Sequence, residues 1–310
     1  MVMRCQVLTL LRRAILIIAT CVLCFDSSPS AAAAEIYYLD KPCGIFIVGK
    51  IEPTDGKLFH KTVIDMITNG HCLVHSVSVF SPGGDLMAAI DIGHQIRALN
   101  WSTEAPHSGG LVDFTPASAR CSIGADIVTF DTQSKKGDPR CICASACFFI
   151  WASGGIGRNG DAVLLHRPYF NKEVFKNLSV VEAEKSYNGL AATSREYLSE
   201  MGVPEAIVAR MFSISSTSAK YMTKEEIDTM TEVPYMAELL NAKCGALVDE
   251  DLEKSKIACL MEASRLHKKI DVCRKFYNTE QETLGVACRA EALRSIINDS
   301  AVKYVRKYGK

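Results

Sequence analysis

Val77-Ser78-Val79-Phe80-Ser81-Pro82-Gly83-Gly84-Asp85-Leu86 is the stretch from which the fold is read. Val77 to Phe80 have the β-branched and aromatic character of a strand, and Pro82-Gly83-Gly84 ends it. Helical spacing through Ala89, Ile92, Ile96 and Leu99 starts directly afterwards. A strand handed straight to a helix through glycines is the unit of α/β architecture.

The same grammar recurs on both sides. Ile45-Phe46-Ile47-Val48 reads as a strand, residues 49–56 as a loop, and residues 57–69 as a helix with Phe59, Val63, Ile64 and Ile67 on one face. Downstream, residues 143–152 are a small-and-apolar run suited to a buried helix, 162–165 a buried strand, and 179–201 a long amphipathic helix. Another helix is expected over 204–212, with Pro204 in its first turn, followed by a polar turn over 213–218. The predicted α/β domain therefore spans 35–236. Residues 102–140 interrupt it with Pro, Gly, Ser and Asp, and are read as an insertion or flap carrying one candidate strand at 126–130. Beyond residue 236 the character changes. Residues 249–277 and 279–308 have helical periodicity, so 237–310 is expected to form a disulfide-stapled helical hairpin. Ile257, Leu260, Leu266, Ile270, Leu293 and Ile297 are read there as packing positions, with a partner-binding role left open.

Residues 1–34 read as a secretory signal peptide: Arg4, Arg12 and Arg13 open it, residues 14–25 are uncharged and apolar, and Ala32-Ala33-Ala34 supplies a small-residue cleavage site. The apolar run is about a dozen residues, against the roughly 20 of a membrane-spanning helix, so no stable span is expected after cleavage. An uncleaved anchor or a lipoprotein attached at Cys21 or Cys24 is the competing reading, although Thr20 and Leu23 are not the small residues that lipid processing prefers. Removing the segment takes three arginines and Asp26 from a chain with 35 basic and 35 acidic residues, so the remainder stays close to neutral. Nothing in that balance calls for nucleic acid or an anionic membrane, since both need clustered Lys and Arg. The expected setting is periplasmic or secreted, with a peptide or acyl substrate as partner and no cofactor.

Three of the 13 cysteines precede the expected cleavage point, and the rest, an even number in an exported chain, suggest disulfides. Cys244, Cys259, Cys273 and Cys288 are expected to pair among themselves, and Cys43 with Cys72. Cys141, Cys143 and Cys147 lack the Cys-x₂-Cys spacing of common zinc sites, which favours packing or disulfide use over a metal. Gly154-Gly155-Ile156-Gly157 has no amphipathic helix after it and reads as a turn.

Three segments carry the chemistry. Ser81-Pro82-Gly83-Gly84-Asp85 lets backbone approach a substrate and aim N–H groups at a developing oxyanion. Cys143-Ala144-Ser145-Ala146-Cys147 sets a serine at the start of a buried helix, where it is either a nucleophile or an N-cap flanked by packing residues. Leu164-Leu165-His166-Arg167-Pro168 puts an imidazole at the end of a buried strand, positioned to take and return a proton. Each is ambiguous by itself, but all three sit at predicted strand or helix ends and so can meet at one sheet edge.

Together these strings resemble ClpP-type serine peptidases of the ClpP/crotonase superfamily, and are most similar to its exported, single-chain, periplasmic ClpP-like members. The resemblance covers about residues 41–232, including Met201-Gly202-Val203-Pro204 and Tyr221-Met222-Thr223-Lys224-Glu225-Glu226. It implies a spiral of βα units, Ser145 as nucleophile, His166 as general base, and the N–H groups of Gly84 and Ala146 as the oxyanion hole. Where those peptidases place the aspartate that orients the histidine, this chain has Ser216-Thr217-Ser218-Ala219. A hydroxyl from Ser218, or from Thr217, is expected in its place; Asp228 is disfavoured by spacing. In a trypsin-like triad, converting that aspartate to asparagine lowers turnover by about 10⁴. The expectation is a serine-type hydrolase with a weakened triad. The alternatives are a catalytically retired domain used for binding and acyl-CoA chemistry of the crotonase kind, the last disfavoured by export. Relatives form trimers or rings, which leaves a homo-oligomer open by analogy.

Overall fold

Ile45, Ile47, Val77 and Val79 face one side of a sheet and Phe46, Val48 and Phe80 the other, and all seven are buried. A strand covered on both faces reads as an unbroken apolar run, which is why these two were legible. The computed structural model describes residues 33–40, 43–69, 76–107, 142–169, 176, 178–231, 233–245, 259 and 280–309. Within them the chain is α/β, with eight strands and eight helices. The strands are β1 (Glu35–Asp40), β2 (Cys43–Val48), β3 (Ser76–Phe80), β4 (Ser102–Glu104), β5 (Cys143–Ala144), β6 (Arg158–Asn159), β7 (Val163–Leu165) and β8 (Lys220–Tyr221). The helices are α1 (Asp55–Thr68), α2 (Leu86–Leu99), α3 (Ala146–Ala152), α4 (Val180–Glu200), α5 (Glu205–Ser213), α6 (Lys224–Thr231), α7 (Pro234–Cys244) and α8 (Glu280–Tyr308).

One sheet runs β1-β2-β3-β4-β6 and the other β5-β7-β8. β2, β3, β4 and β6 are mutually parallel, with β1 antiparallel at the edge. β5 is parallel to β7, β8 is antiparallel to it, and a parallel bridge between Ser81 and Cys143 joins the two sheets. Three segments remote in sequence thus end side by side.

Buried Arg158 and half-buried Arg97 tie the helices together. Arg158 donates through Nε to the Ala152 carbonyl at 2.9 Å, through Nη1 to Met230 at 3.0 Å, and through Nη2 to Met201. Arg97 donates to the same Met201 carbonyl at 3.1 Å. These carbonyls lie at the C-terminal ends of α3, α4 and α6, which carry partial negative charge. Burial, with Arg97 alongside, pushes the Arg158 guanidinium down to about 10, so it stays charged at neutral pH.

Several expectations need correction. Residues 102–104 are not insertion but β4, paired in parallel with β3. Three residues are too few to display alternation. The expected helix over 143–152 starts only at Ala146, because Cys143 and Ala144 pair with β7 as a strand. Nor does the C-terminal end stand apart: Ala33–Lys310 clusters as one compact unit, and Ile297 and Tyr304 of α8 belong to the main core. The Tyr304 hydroxyl donates to Gln95 Oε1 at 2.5 Å and pairs with His60 Nδ1 at 2.7 Å. Gln95 in turn donates to the Gly56 carbonyl at 3.0 Å, which links α8 to α1 and α2. Cys244 and Cys288 form a disulfide between α7 and α8, within the set expected to pair. Cys259 is also disulfide-bonded.

The signal segment up to residue 32, the flap beyond residue 107 with its candidate strand, the Cys43–Cys72 pairing and the helix over 249–277, Cys259 apart, lie outside the described residues. Ala34, at the expected cleavage point, donates to the Lys50 carbonyl at 2.7 Å and packs into the core. Among the described residues no helix is long and apolar enough to cross a membrane.

Arg158→Met keeps the apolar stem and removes the donors to three buried carbonyls. Arg97 still reaches Met201 and, at 3.5 Å, Ala152, so the unpaired group is the Met230 carbonyl, at a cost of about 2 kcal/mol. Urea denaturation should report that loss as a lower midpoint at unchanged slope.

Candidate functional site

β5 is flanked by parallel neighbours, Ser81 on one side and β7 on the other, so the carboxyl ends of all three point the same way. Ligand sites in α/β proteins lie off such ends. Beyond them the chain places Gly83 and Gly84, Ser145 and His166.

Ser145 turns the chain from β5 into α3 at φ 58° and ψ −119°. Among the described residues the other non-glycine with positive φ is Asn100, the left-handed C-cap of α2, a usual place for one. The Ser145 angles are those of the first central residue of a type II′ turn, a position that favours glycine. Such conformations cost about 1–3 kcal/mol and persist only where the surroundings dictate them. Ser145 stands at the N-cap position of α3, but its side chain makes no capping hydrogen bond.

The surroundings are specific. The Ser145 N–H reaches the Leu164 carbonyl at 3.4 Å, and the Ala144 N–H donates to Ser81 at 3.0 Å. Gly83, at φ 100°, packs so closely that a Cβ on it would lie 2.7 Å from the Ser145 Cβ and 3.1 Å from the Ala146 nitrogen. Only glycine fits. A disulfide between Cys143 and Cys147 closes the turn across Ser145, resolving the cysteine question in favour of a disulfide. Ile51 donates to the Gly83 carbonyl at 2.9 Å and accepts from the Asp85 N–H at 2.8 Å, which leaves the intervening Gly84 N–H directed away from Ile51. Among the described residues neither the Gly84 nor the Ala146 N–H donates to a backbone acceptor.

His166 follows β7 directly. Its Nδ1 lies 3.3 Å from Ser145 Oγ, and its Nε2 lies 3.0 Å from the main-chain oxygen of Ser216. A carbonyl can only accept, so Nε2 carries the proton and Nδ1 presents its lone pair to the serine hydroxyl. The Tyr169 ring stands edge-on to the imidazole at 5.1 Å.

The structure thus brings Ser145 and His166 together and sets Gly83 against Ser145. Ser218 is not the partner of the ring: that place is taken by the Ser216 carbonyl, and the Ser218 N–H turns back to Ser215 at 3.0 Å. The Thr217 hydroxyl pairs with Ser215 Oγ. Asp228 is exposed on α6 and pairs with Lys224 at 2.5 Å. The sequence offered no sign of the Ser216 contact, because every residue has a carbonyl. Tyr169 was legible only as a residue three past His166. Among the described residues no group of three or more His, Cys, Asp or Glu side chains is placed to hold a metal.

Gly83→Ala adds a methyl where there is no room and where φ disfavours it. A loss of about 2 kcal/mol is expected, read as a lower melting temperature. A crystal structure of the variant should show Ser145 Oγ displaced from His166. No family model matches the chain, and no curated protein matches it.

Proposed function

We propose that the chain is an exported serine-type hydrolase of the ClpP/crotonase fold that cleaves peptides or other acyl compounds through an acyl-enzyme at Ser145. The observation that carries this reading is the 3.3 Å approach of Ser145 Oγ to His166 Nδ1, with Ser145 held at a backbone angle that serine disfavours. In the reaction His166 takes the hydroxyl proton at Nδ1 as Oγ attacks the carbonyl carbon. The Gly84 and Ala146 N–H groups stabilise the developing oxyanion. The imidazolium then returns its proton to the leaving group, and water repeats the cycle to release the acid.

The Ser216 carbonyl does part of the work of the missing aspartate. It fixes tautomer and ring orientation, and it stabilises the imidazolium with a dipole where a carboxylate would use a full charge. Charged acceptors make hydrogen bonds roughly twice as strong as neutral ones. Turnover is therefore expected to be slow but finite. The same absence favours a second reading, a retired domain that binds without cleaving. In that case removing the hydroxyl would leave the biological phenotype intact.

A fluorophosphonate should label Ser145. Labelling should vanish in Ser145→Ala, fall at least tenfold in His166→Ala, and stay within twofold of wild type in Ser218→Ala. Absence of any adduct under conditions that label a control hydrolase would leave only the binding reading.

A further inference from the structure

The Cys143–Cys147 disulfide has no part in the reaction as written, yet it spans the residue on which the reaction depends. Both cysteines are fully buried, and their Cα atoms are 5.1 Å apart across four peptide units. An extended chain would separate them by about 13 Å, so the bond requires the reversal that Ser145 makes. Cys143 is fixed in β5 through its N–H to Ala162 at 3.0 Å, and Cys147 is fixed in α3, whose residues are all buried. A covalent tie between two anchored points leaves the intervening three residues little choice of conformation. A second disulfide, Cys244–Cys288, joins α7 to α8 at residues remote in sequence from the turn.

We infer that the Cys143–Cys147 disulfide is a positioning element of the site: it holds Ser145 at positive φ and within reach of His166, so that nucleophilic competence belongs to the oxidised chain. The consequence for hydrolysis rests on the serine-hydrolase reading given above. Closing the bond joins two thiol sulfurs. The two electrons and two protons pass to an external disulfide, which leaves as two thiols. In the reduced chain Ser145 is free to relax to negative φ, and the hydroxyl loses its partner. A chain still in a reducing compartment would then be folded but unreactive, and would gain its nucleophile only after export.

The test compares the full chain with Cys143→Ala/Cys147→Ala and with Cys244→Ser/Cys288→Ser. Fluorophosphonate labelling should slow at least tenfold in the first variant at a retained circular dichroism spectrum. In the second, the melting temperature should fall while labelling stays within twofold of wild type. That dissociation separates positioning from stability. A Cys143→Ala/Cys147→Ala chain that labels at the wild-type rate overturns the inference. Should that variant fail to fold, the wild-type chain reduced with a trialkylphosphine under native conditions gives the same reading. If oxidised wild type is itself not labelled, the hydrolase reading fails and a crystal structure of the variant decides the inference. Positive φ at Ser145 with Oγ still 3.3 Å from His166 would sink it, whereas negative φ with the two apart would sustain it.

Discussion

A single residue, Ser145, must reverse the chain at a backbone angle that serine disfavours, and the arrangement of the central region follows from how that reversal is held. The conformation costs about 1–3 kcal/mol. It is offset by the helix it launches. Ala146 to Ala152 are all buried, with Phe148, Phe149 and Trp151 almost fully so. An aromatic side chain removes roughly 150–250 Å² from water, worth about 4 kcal/mol or more at 25 cal/mol per Å². Each of the three therefore outweighs the strain, before the entropy of ordering is charged against it. A helix apolar on every side has to run through the interior, and the turn is the means by which β5 delivers it there.

That delivery also explains why the site lies where it does. β5 has parallel neighbours on both sides, so the segments leaving Ser81, Ala144 and Leu165 emerge at one edge. Close approach is then a matter of side-chain size. Gly83 has none, and its neighbour across the gap is the Cβ of Ser145 itself. At the other end of α3 from the turn, the C-terminal ends of α3, α4 and α6 converge on Arg158 and Arg97. Partial charges on helix carbonyls accept a buried cation without any carboxylate.

The long elements were legible because their signal is repeated. β2, β3, α1, α2, α4 and α5 and the length of α8 each follow from the spacing of apolar residues, and Ser179 with Glu182 forms the capping box that starts α4, whereas the three-residue β7 was read from the unbroken apolar run 162–165. β4, β5, β6 and β8 were not legible, since two or three residues carry no period. β5 was absorbed into the helix it precedes because both are apolar, and only a register with β7 tells them apart. Ser145, His166 and the glycine turn could be chosen by residue type. What the imidazole leans on could not, because a main-chain oxygen leaves no mark on the sequence.

The nature of that support bears on what the site can do. In a trypsin-like triad, asparagine in place of aspartate preserves shape but stabilises the wrong tautomer, at a cost of about 10⁴ in turnover. The Ser216 carbonyl differs from an asparagine side chain in one respect: it has no N–H with which to present the wrong face. Nε2 is therefore bound to be the donor at 3.0 Å, and Nδ1 turns its lone pair to the Ser145 hydroxyl. Of the two services an aspartate performs, orientation survives and charge does not. The deficit falls on the step that creates imidazolium, not on the ground state. On the hydrolase reading proposed above, a site of this kind would form its acyl-enzyme slowly.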